Sequence, residues 1–434
     1  MRRTWELVSV EEARRRLEAL FPEAARPGEE QVPLDEALGR VLSRVVEARR
    51  ALPGFDRSTV DGYAVRSADV AAATPENPAR LRRVGGVAMG EPARVAVGPG
   101  QAVEVPTGGV LPPGADAVVM YEETRRPEIS EGGGAPGQDP APRETWVEVL
   151  EAVPAGANRM GAQEDVRPGE RLLLPGRRLR PQDLGLLAAL GELEPWVRRR
   201  PTVALLSTGD ELVPPAAELG PGQVRDMNGT TLAALCRQAG AKPVAMGIVP
   251  DTREALDAAV AQAWRSADLV LISGGSSVGE RDHAREAVEA LPGARVVVHG
   301  VAVRPGKPTL VALAGGKLLY GLPGHPVSAM VIFHLFVRPA LEHLLGVQHF
   351  GPGLPPVRAR LTRSIRTAGR REDYWRAQLL QDERGWVAEP IVSKSGAISS
   401  MVKGDGLFRV PAGVGELPEG AWVEVEPFAF WAGA

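Results

Sequence analysis

Apolar side chains recur at helical spacing over residues 9–21, with Val10, Ala13, Leu17 and Leu20 on one side. Ser9 stands where an N-cap belongs, and Glu12 completes a capping-box pattern with it. A second short helix is predicted over 34–42. From Leu52-Pro-Gly-Phe-Asp to about 165 the pattern becomes strand-like, punctuated by Pro and Gly, with runs such as Ala117-Val-Val-Met-Tyr121. Within it, 127–144 is rich in Gly, Pro and charge and reads as a surface loop. After Arg198-Arg-Arg-Pro201 the pattern changes again. Helices are predicted at 229–239 and 252–265, strands at 203–208, 243–248, 269–272 and 295–298, and a long helix from Val327 to Leu345. Strands alternating with helices imply a parallel sheet covered on both faces. Beyond Gly351 short strands return and end in Trp422-Val-Glu-Val-Glu-Pro-Phe428. The chain therefore reads as a β-rich part, an α/β core and a small C-terminal β module, with the N-terminal helices packed among them.

The most informative stretch is Leu269-Val-Leu-Ile-Ser-Gly-Gly-Ser-Ser-Val-Gly-Glu-Arg-Asp282. Its unbroken apolar run is that of a strand buried on both faces. The glycines that follow let backbone amides turn toward a small anion, at the strand end where α/β sheets bind ligands. The same loop also reads as a strand-to-helix turn whose glycines serve geometry alone.

Composition narrows the classes. A chain of 434 residues holds about two to four domains. Net charge is −3 and aromatics are 5%, so neither a basic field nor stacking platforms for nucleic acid are present. The single Cys236 excludes a disulfide framework and a multi-thiolate metal site. It fits a reducing cytosol. No run approaches the ~18 apolar residues of a membrane span, and the N-terminus has no signal-peptide core. A cytoplasmic protein without nucleic-acid or membrane partners is expected.

Candidate chemistry gathers on loops. Asp210 and Glu211 follow Ser207-Thr-Gly209, Glu280 and Asp282 follow Gly274-Gly275, and Asp251 lies in a third loop. Acids on three strand-end loops suit Mg²⁺ held by one or two carboxylates plus substrate phosphate. Asp251, before Thr-Arg-Glu, also reads as a helix N-cap, and so does Asp210; that reading is weaker for Glu211 and Asp282. Arg304-Pro-Gly-Lys307-Pro308 is no phosphate loop of the Walker type, since Pro308 stands where Ser or Thr is needed. Its two cations still suit a small oxyanion, although a solvated surface turn is the commoner case. Gly321-Leu-Pro-Gly-His-Pro-Val-Ser328 precedes the long helix, and His325 has no partner at metal-ligand spacing. Asp61-Gly62, Pro106-Thr-Gly-Gly and Gln163-Glu-Asp165 read equally as plain turns. Arg370-Arg371, Tyr374-Trp-Arg376 and Ser393-Lys-Ser395 add a second group of cations and hydroxyls.

Taken in order, these pieces resemble the molybdopterin molybdenumtransferase family, the molybdenum insertases that include the E domain of gephyrin. The resemblance runs through the LPxFDxSxxDGYA-like stretch at 52–64, the TG turn and GADAVV at 107–119, and the acid pair ending at Asp165. It continues through STGDEL at 207–212, SGGxSVGExD at 273–282, PGKP at 305–308 and GLPGxPVSA at 321–329. Three positions depart from the family pattern: His325 replaces the usual Asn, Ser276 an apolar residue and Gln163 a Gly. At a fourth, Arg304 stands where Lys is usual.

The resemblance implies a multidomain α/β-plus-β fold. An elongated domain, 1–48 with 166–200, would flank an inserted β-rich domain at 49–165. A three-layer doubly wound α/β domain would span 201–345 and a small barrel-like β domain 346–434. The implied reaction inserts molybdate into adenylylated molybdopterin, with Mg²⁺-dependent cleavage releasing AMP, in a homodimer. By motif position, Asp61, Asp165, Glu211, Asp251 and Asp282 would be catalytic, with Glu211, Asp251 and Asp282 at the metal. Thr107, Ser207, Thr208, Gly209, Ser273, Gly274, Gly275, Ser277, Gly279, Pro323 and Gly324 would contact the substrate. Arg304, Lys307, Ser328, Arg376 and Ser395 would hold molybdate. A molybdopterin adenylyltransferase and molybdoenzyme apo-proteins are the implied partners. The competing readings are a molybdopterin adenylyltransferase or nucleotide pyrophosphatase on the same α/β core, and a non-catalytic handover or scaffold protein.

Overall fold

The computed structural model describes residues 7–125, 145–274, 282–348 and 355–428; the loop expected at 127–144 lies outside them. The chain divides into two compact units. One comprises Met1–Arg44, Leu174–Leu184 and Glu194–Ala434, the other Val45–Leu173 and Gly185–Leu193.

In the first unit a six-stranded sheet runs in the order Lys242–Val249, Thr202–Thr208, Leu269–Ser273, Lys317–Leu322, Leu310–Ala314, Arg295–His299. The first four strands are parallel, and the last two are antiparallel to their neighbours. The expected parallel sheet is thus extended at one edge by two antiparallel strands. The sequence reading missed the Leu310–Ala314 and Lys317–Leu322 hairpin, whose tight Gly315-Gly316 turn brings the chain straight back without a crossover helix. Alternate residues serve opposite layers, as the two-residue period of a strand requires. Val203, Leu205, Leu269 and Leu271 pack with Val10, Leu17, Leu232 and the long helix that begins at Pro326. Ala204, Leu206, Val270 and Ile272 pack with Leu256, Val260, Ala284 and Val288. Every residue of Leu269–Ser273 is buried, as its unbroken apolar run demands. Cys236 belongs to this core, where burial pushes its thiol up to about 12.

The first helix, Val10–Glu18, starts at Ser9, whose hydroxyl accepts the Glu12 N–H at 3.1 Å. The reciprocal half of the capping box gives way to ion pairs: the Glu12 carboxylate binds Arg15 and Arg16 at 2.8 and 2.7 Å. The helix expected at 34–42 shrinks to a single 3-10 turn, Leu34–Glu36. Gly39 takes φ +71°, and Val41 and Leu42 turn extended to bridge Arg178 and Val197. Tertiary pairing overrides their local helical spacing. Among the described residues one helical stretch, Pro326–Leu345, is long and apolar enough to cross a membrane, and 67% of its apolar window is buried in the unit. Two α-helical segments joined through a π-helical turn make it longer than any single apolar run in the sequence.

A second six-stranded sheet of this unit holds the C-terminal strands Glu372–Asp382, Gly385–Pro390, Val357–Leu361, Trp422–Pro427 and Gly406–Val410. Glu372–Asp382 also pairs with Gly406–Val410, which curls the sheet toward a barrel. Its edge is Val303–Arg304, in register with Glu372 and Asp373. The other unit is built on a six-stranded sheet around Tyr63, Leu81, Val119 and Val147.

Asp183 anchors the segment preceding the Pro181–Leu190 helix. Burial works to raise its pKa, but hydrogen bonds from Arg177 (2.7 Å), Arg180 and the Arg180 backbone N–H outweigh it and hold the carboxyl at about 2. Its folded value lies below the ordinary 3.8. The stabilisation is therefore complete above that value and is lost as pH falls toward 2. Asp183→Asn is expected to cost about 3 kcal/mol at neutral pH, with the gap to wild type closing in acid. Urea melts at neutral pH and near pH 3 check this; a gap independent of pH would count against it.

Candidate functional site

Four parallel strands end together at Val249, Thr208, Ser273 and Leu322, in register across the sheet. The loops that leave them carry most of the motifs. Gly274 passes so close to its neighbour that a Cβ there would lie 2.0 Å from the Thr208 carbonyl oxygen, and its φ is +97°. Only glycine satisfies both limits. Gly324 lies alongside, where an added Cβ would meet the Gly274 Cα at 3.7 Å. Asn228, buried at the start of the Met227–Gln238 helix, ties the two turns together. Its amide donates to Ser273 Oγ at 2.7 Å and to the Gly324 carbonyl at 2.8 Å. Ser207, Thr208 and Ser273 are buried beneath this edge, and Pro323 and Gly209 flank it.

The acids fall out differently from their sequence readings. The cap of the Arg253–Ser266 helix is Thr252, not Asp251. Asp251 is left at the sheet edge, where Oδ1 lies 3.5 Å from the Thr208 hydroxyl and its N–H lies 3.4 Å from Asp210 Oδ1. Asp210 caps no helix either, because a short strand, Leu212–Val213, follows it. Glu211 is exposed beside Gly209. Asp282, read as the acid freer of a capping role, is the N-cap of His283–Glu289: Oδ1 accepts the Arg285 N–H at 3.1 Å. Its Oδ2 lies 2.8 Å from His299 Nε2. Among the described residues no three acids, histidines or cysteines close into a metal cluster. Gly275, Ser277, Gly279 and Glu280 lie outside the described residues. Asp61 and Asp165 belong to the other unit. There Asp61 Oδ1 accepts the Thr107 N–H at 2.8 Å, which brings two motif residues together, and the Asp165 N–H donates to the Leu52 carbonyl.

The cationic motifs converge. Arg304, Lys307, Ser328, Arg376 and Ser395 all line one cavity of about 620 Å³. The register of Arg304 with Asp373 brings them together, because it joins the Pro-Gly turn to the C-terminal sheet. Gly306 makes that turn at φ +124°, packed on Ile332. Arg376 is buried; one Nη donates to the Ser393 carbonyl at 3.0 Å, and its Nε is buried without a partner. Burial, and then the charge of Arg304, lowers its pKa. That Nε is a donor without an acceptor. His325, where the family has Asn, contacts Ser395 Oγ through Nδ1 at 3.1 Å.

Sequence reasoning passed over Asn228 and His299 and left Arg371, Lys394 and Asp373 of the lining unassigned. Asp373 is a buried carboxylate 3.7 Å from Arg304; burial raises its pKa while Arg304 and Arg371 oppose the rise. Asn228 had a signal, a polar side chain in the first turn of a helix opened by Asp226. His299, at the end of an edge strand, had none.

Comparison with known proteins matches the chain in three consecutive segments. Residues 8–191 match the family model of the MoeA N-terminal region (domain I and II), 204–343 that of a probable molybdopterin binding domain, and 358–428 that of the MoeA C-terminal region (domain IV). Molybdopterin molybdenumtransferase of Bacillus subtilis is 34% identical over 397 residues, covering 91% of this chain and 89% of the relative. That of Synechococcus elongatus is 36% identical over 405 residues, 91% and 94% of the two chains. The crystal structure of a molybdopterin biosynthesis MoeA protein from Pyrococcus horikoshii OT3 superposes with a TM-score of 0.80 at 29% identity, over 98% of this chain and all of that one. Because relatives of one name match so much of both partners' lengths, the chain belongs to the molybdopterin molybdenumtransferase family.

Proposed function

We propose that this transferase of molybdenum cofactor biosynthesis inserts molybdate into adenylylated molybdopterin, with Mg²⁺-dependent cleavage of the adenylate and release of AMP. The observation that carries the reading is the cavity in which Arg304, Lys307, Ser328 and Ser395 converge on a buried, incompletely bonded Arg376. Molybdate would supply the missing acceptor for Nε, with Arg304 and Lys307 balancing its charge and the hydroxyls of Ser328 and Ser395 orienting it. The turn from Pro323 to Ser328 links this cavity to the strand ends: Gly324 sits against Gly274, while His325 and Ser328 line the cavity.

The donor chemistry at the strand ends fits a hard cation. Carboxylates Glu211, Asp251 and Asp282 follow three neighbouring strands without forming a closed cage, as suits an ion that keeps waters and takes substrate phosphate oxygens. Bound there, Mg²⁺ would polarise the phosphoanhydride and offset charge on departing AMP. The Thr208 hydroxyl orients Asp251, and the crossed Gly274 backbone holds the loop edge close to the substrate. A homodimer belongs to the same reading, with the substrate coming from a molybdopterin adenylyltransferase and the product passing to molybdoenzyme apo-proteins. Sedimentation velocity tests the dimer, and a monomer at micromolar concentration would exclude it.

The purified chain is expected to release AMP from adenylylated molybdopterin in Mg²⁺, faster with molybdate than without. Release insensitive to molybdate would overturn the proposal. Asp282→Asn keeps a capping oxygen but removes the charge, and should slow release by roughly 100-fold. Arg376→Lys keeps the charge but loses the planar fork, and should raise the molybdate requirement about tenfold with little change at saturation. If saturating molybdate failed to rescue that variant, its role as an oxyanion ligand would be wrong.

A further inference from the structure

Asp282 is held by more than its helix. A capping carboxylate needs one bond, and Oδ1 has it in the Arg285 N–H. The second oxygen, Oδ2, lies 2.8 Å from Nε2 of His299, a residue of the Arg295–His299 strand. On the other side of that ring, Arg285 Nη1 lies 2.9 Å from Nδ1. A guanidinium has donors and no acceptor. Nδ1 is therefore the bare, accepting nitrogen, because a proton there would set N–H against N–H. A ring bare at Nδ1 carries its proton on Nε2, where it is donated to Asp282 Oδ2. Arg285 itself is braced by Glu289 Oε1 at 2.7 Å. Both side chains of the pair are mostly buried, at 18% and 17% exposure, so solvent does not dissolve the contact.

From this chain of donors we infer that His299 is a positioning residue for the reaction: fixed in one tautomer by Arg285, it clamps the second oxygen of Asp282 and sets the plane of that carboxylate. The inference rests on the reading that Asp282 serves the metal-dependent cleavage. The terminal torsion of an aspartate is broad and roughly two-fold, so a single capping bond leaves the carboxylate free to rock. Donors from two elements, a helix backbone and a strand side chain, remove that freedom. Partners that orient a ligating carboxylate matter to activity by roughly 10- to 100-fold.

Two measurements test it. In the full-length chain labelled with ¹⁵N-histidine and free of metal and substrate, NMR at neutral pH should show His299 protonated at Nε2 and bare at Nδ1. Asp282→Asn should move the Nε2 resonance. A proton on Nδ1, or a doubly protonated ring, would overturn the inference. In AMP release, His299→Ala should lower kcat by roughly 10- to 100-fold with KM for adenylylated molybdopterin little changed. His299→Gln, whose amide offers one donor and one acceptor, should stay close to wild type. Melting curves of both variants identify an alanine variant that merely misfolds, and the glutamine variant then carries the comparison. Equal losses in the two variants, a loss confined to KM, or an unaffected alanine variant would each reject the positioning role. A wild-type chain that released no AMP would overturn the functional reading itself, separately from the histidine geometry, which the spectrum decides.

Discussion

The closeness of two backbone segments, the Thr208 carbonyl and the Gly274 turn, governs the strand-end site. Parallel strands buried on both faces cannot move apart without breaking a ladder inside an apolar core. Their ends are therefore held in register, and whatever leaves those ends starts from a fixed place. Because Gly274 has no side chain, its loop can cross directly over its neighbour, and Asn228 then ties the crossing to the Gly324 turn. Asp251 and the hydroxyls of Thr208 and Ser273 stand at that crossing.

Charge is segregated on this frame. Carboxylates follow the strand ends, while Arg304, Lys307, Arg371, Arg376 and Lys394 surround the cavity beside the C-terminal sheet. A metal on a phosphoanhydride needs the first environment and a dianion the second, and mixing them would neutralise both. The exception is Asp373, an acid buried among the cations. It tempers the positive field and holds Arg304 across the seam where the strand Val303–Arg304 meets the C-terminal sheet.

How far these features were legible depended on whether their cause was local. The Leu269–Ser273 strand was readable because burial on both faces writes an unbroken apolar run. Ser9 was readable because a cap acts within one turn. The motif residues of the cavity were readable as chemistry, but their meeting was not, since it depends on a two-residue strand pairing with another almost seventy residues away. The segment 34–42 misled because the extended pairing of Val41 and Leu42 outweighs their helical spacing. Asp251 lost its expected capping role to Thr252, one residue on, and Asp282 took a cap the sequence reading ranked as weaker. His299 could not be found at all, because its importance lies wholly in the two side chains it touches.

The unpartnered Nε of Arg376 has a consequence for the joint between two sheets. A buried donor left unsatisfied costs about 1–3 kcal/mol. Arg376 is rooted in the C-terminal sheet, whereas Lys307 and Ser328 are rooted in the α/β layers. An oxyanion grasped by all three is a cross-link between two sheets. On the proposed reading, the seam between the two sheets would open more readily when that oxyanion is absent.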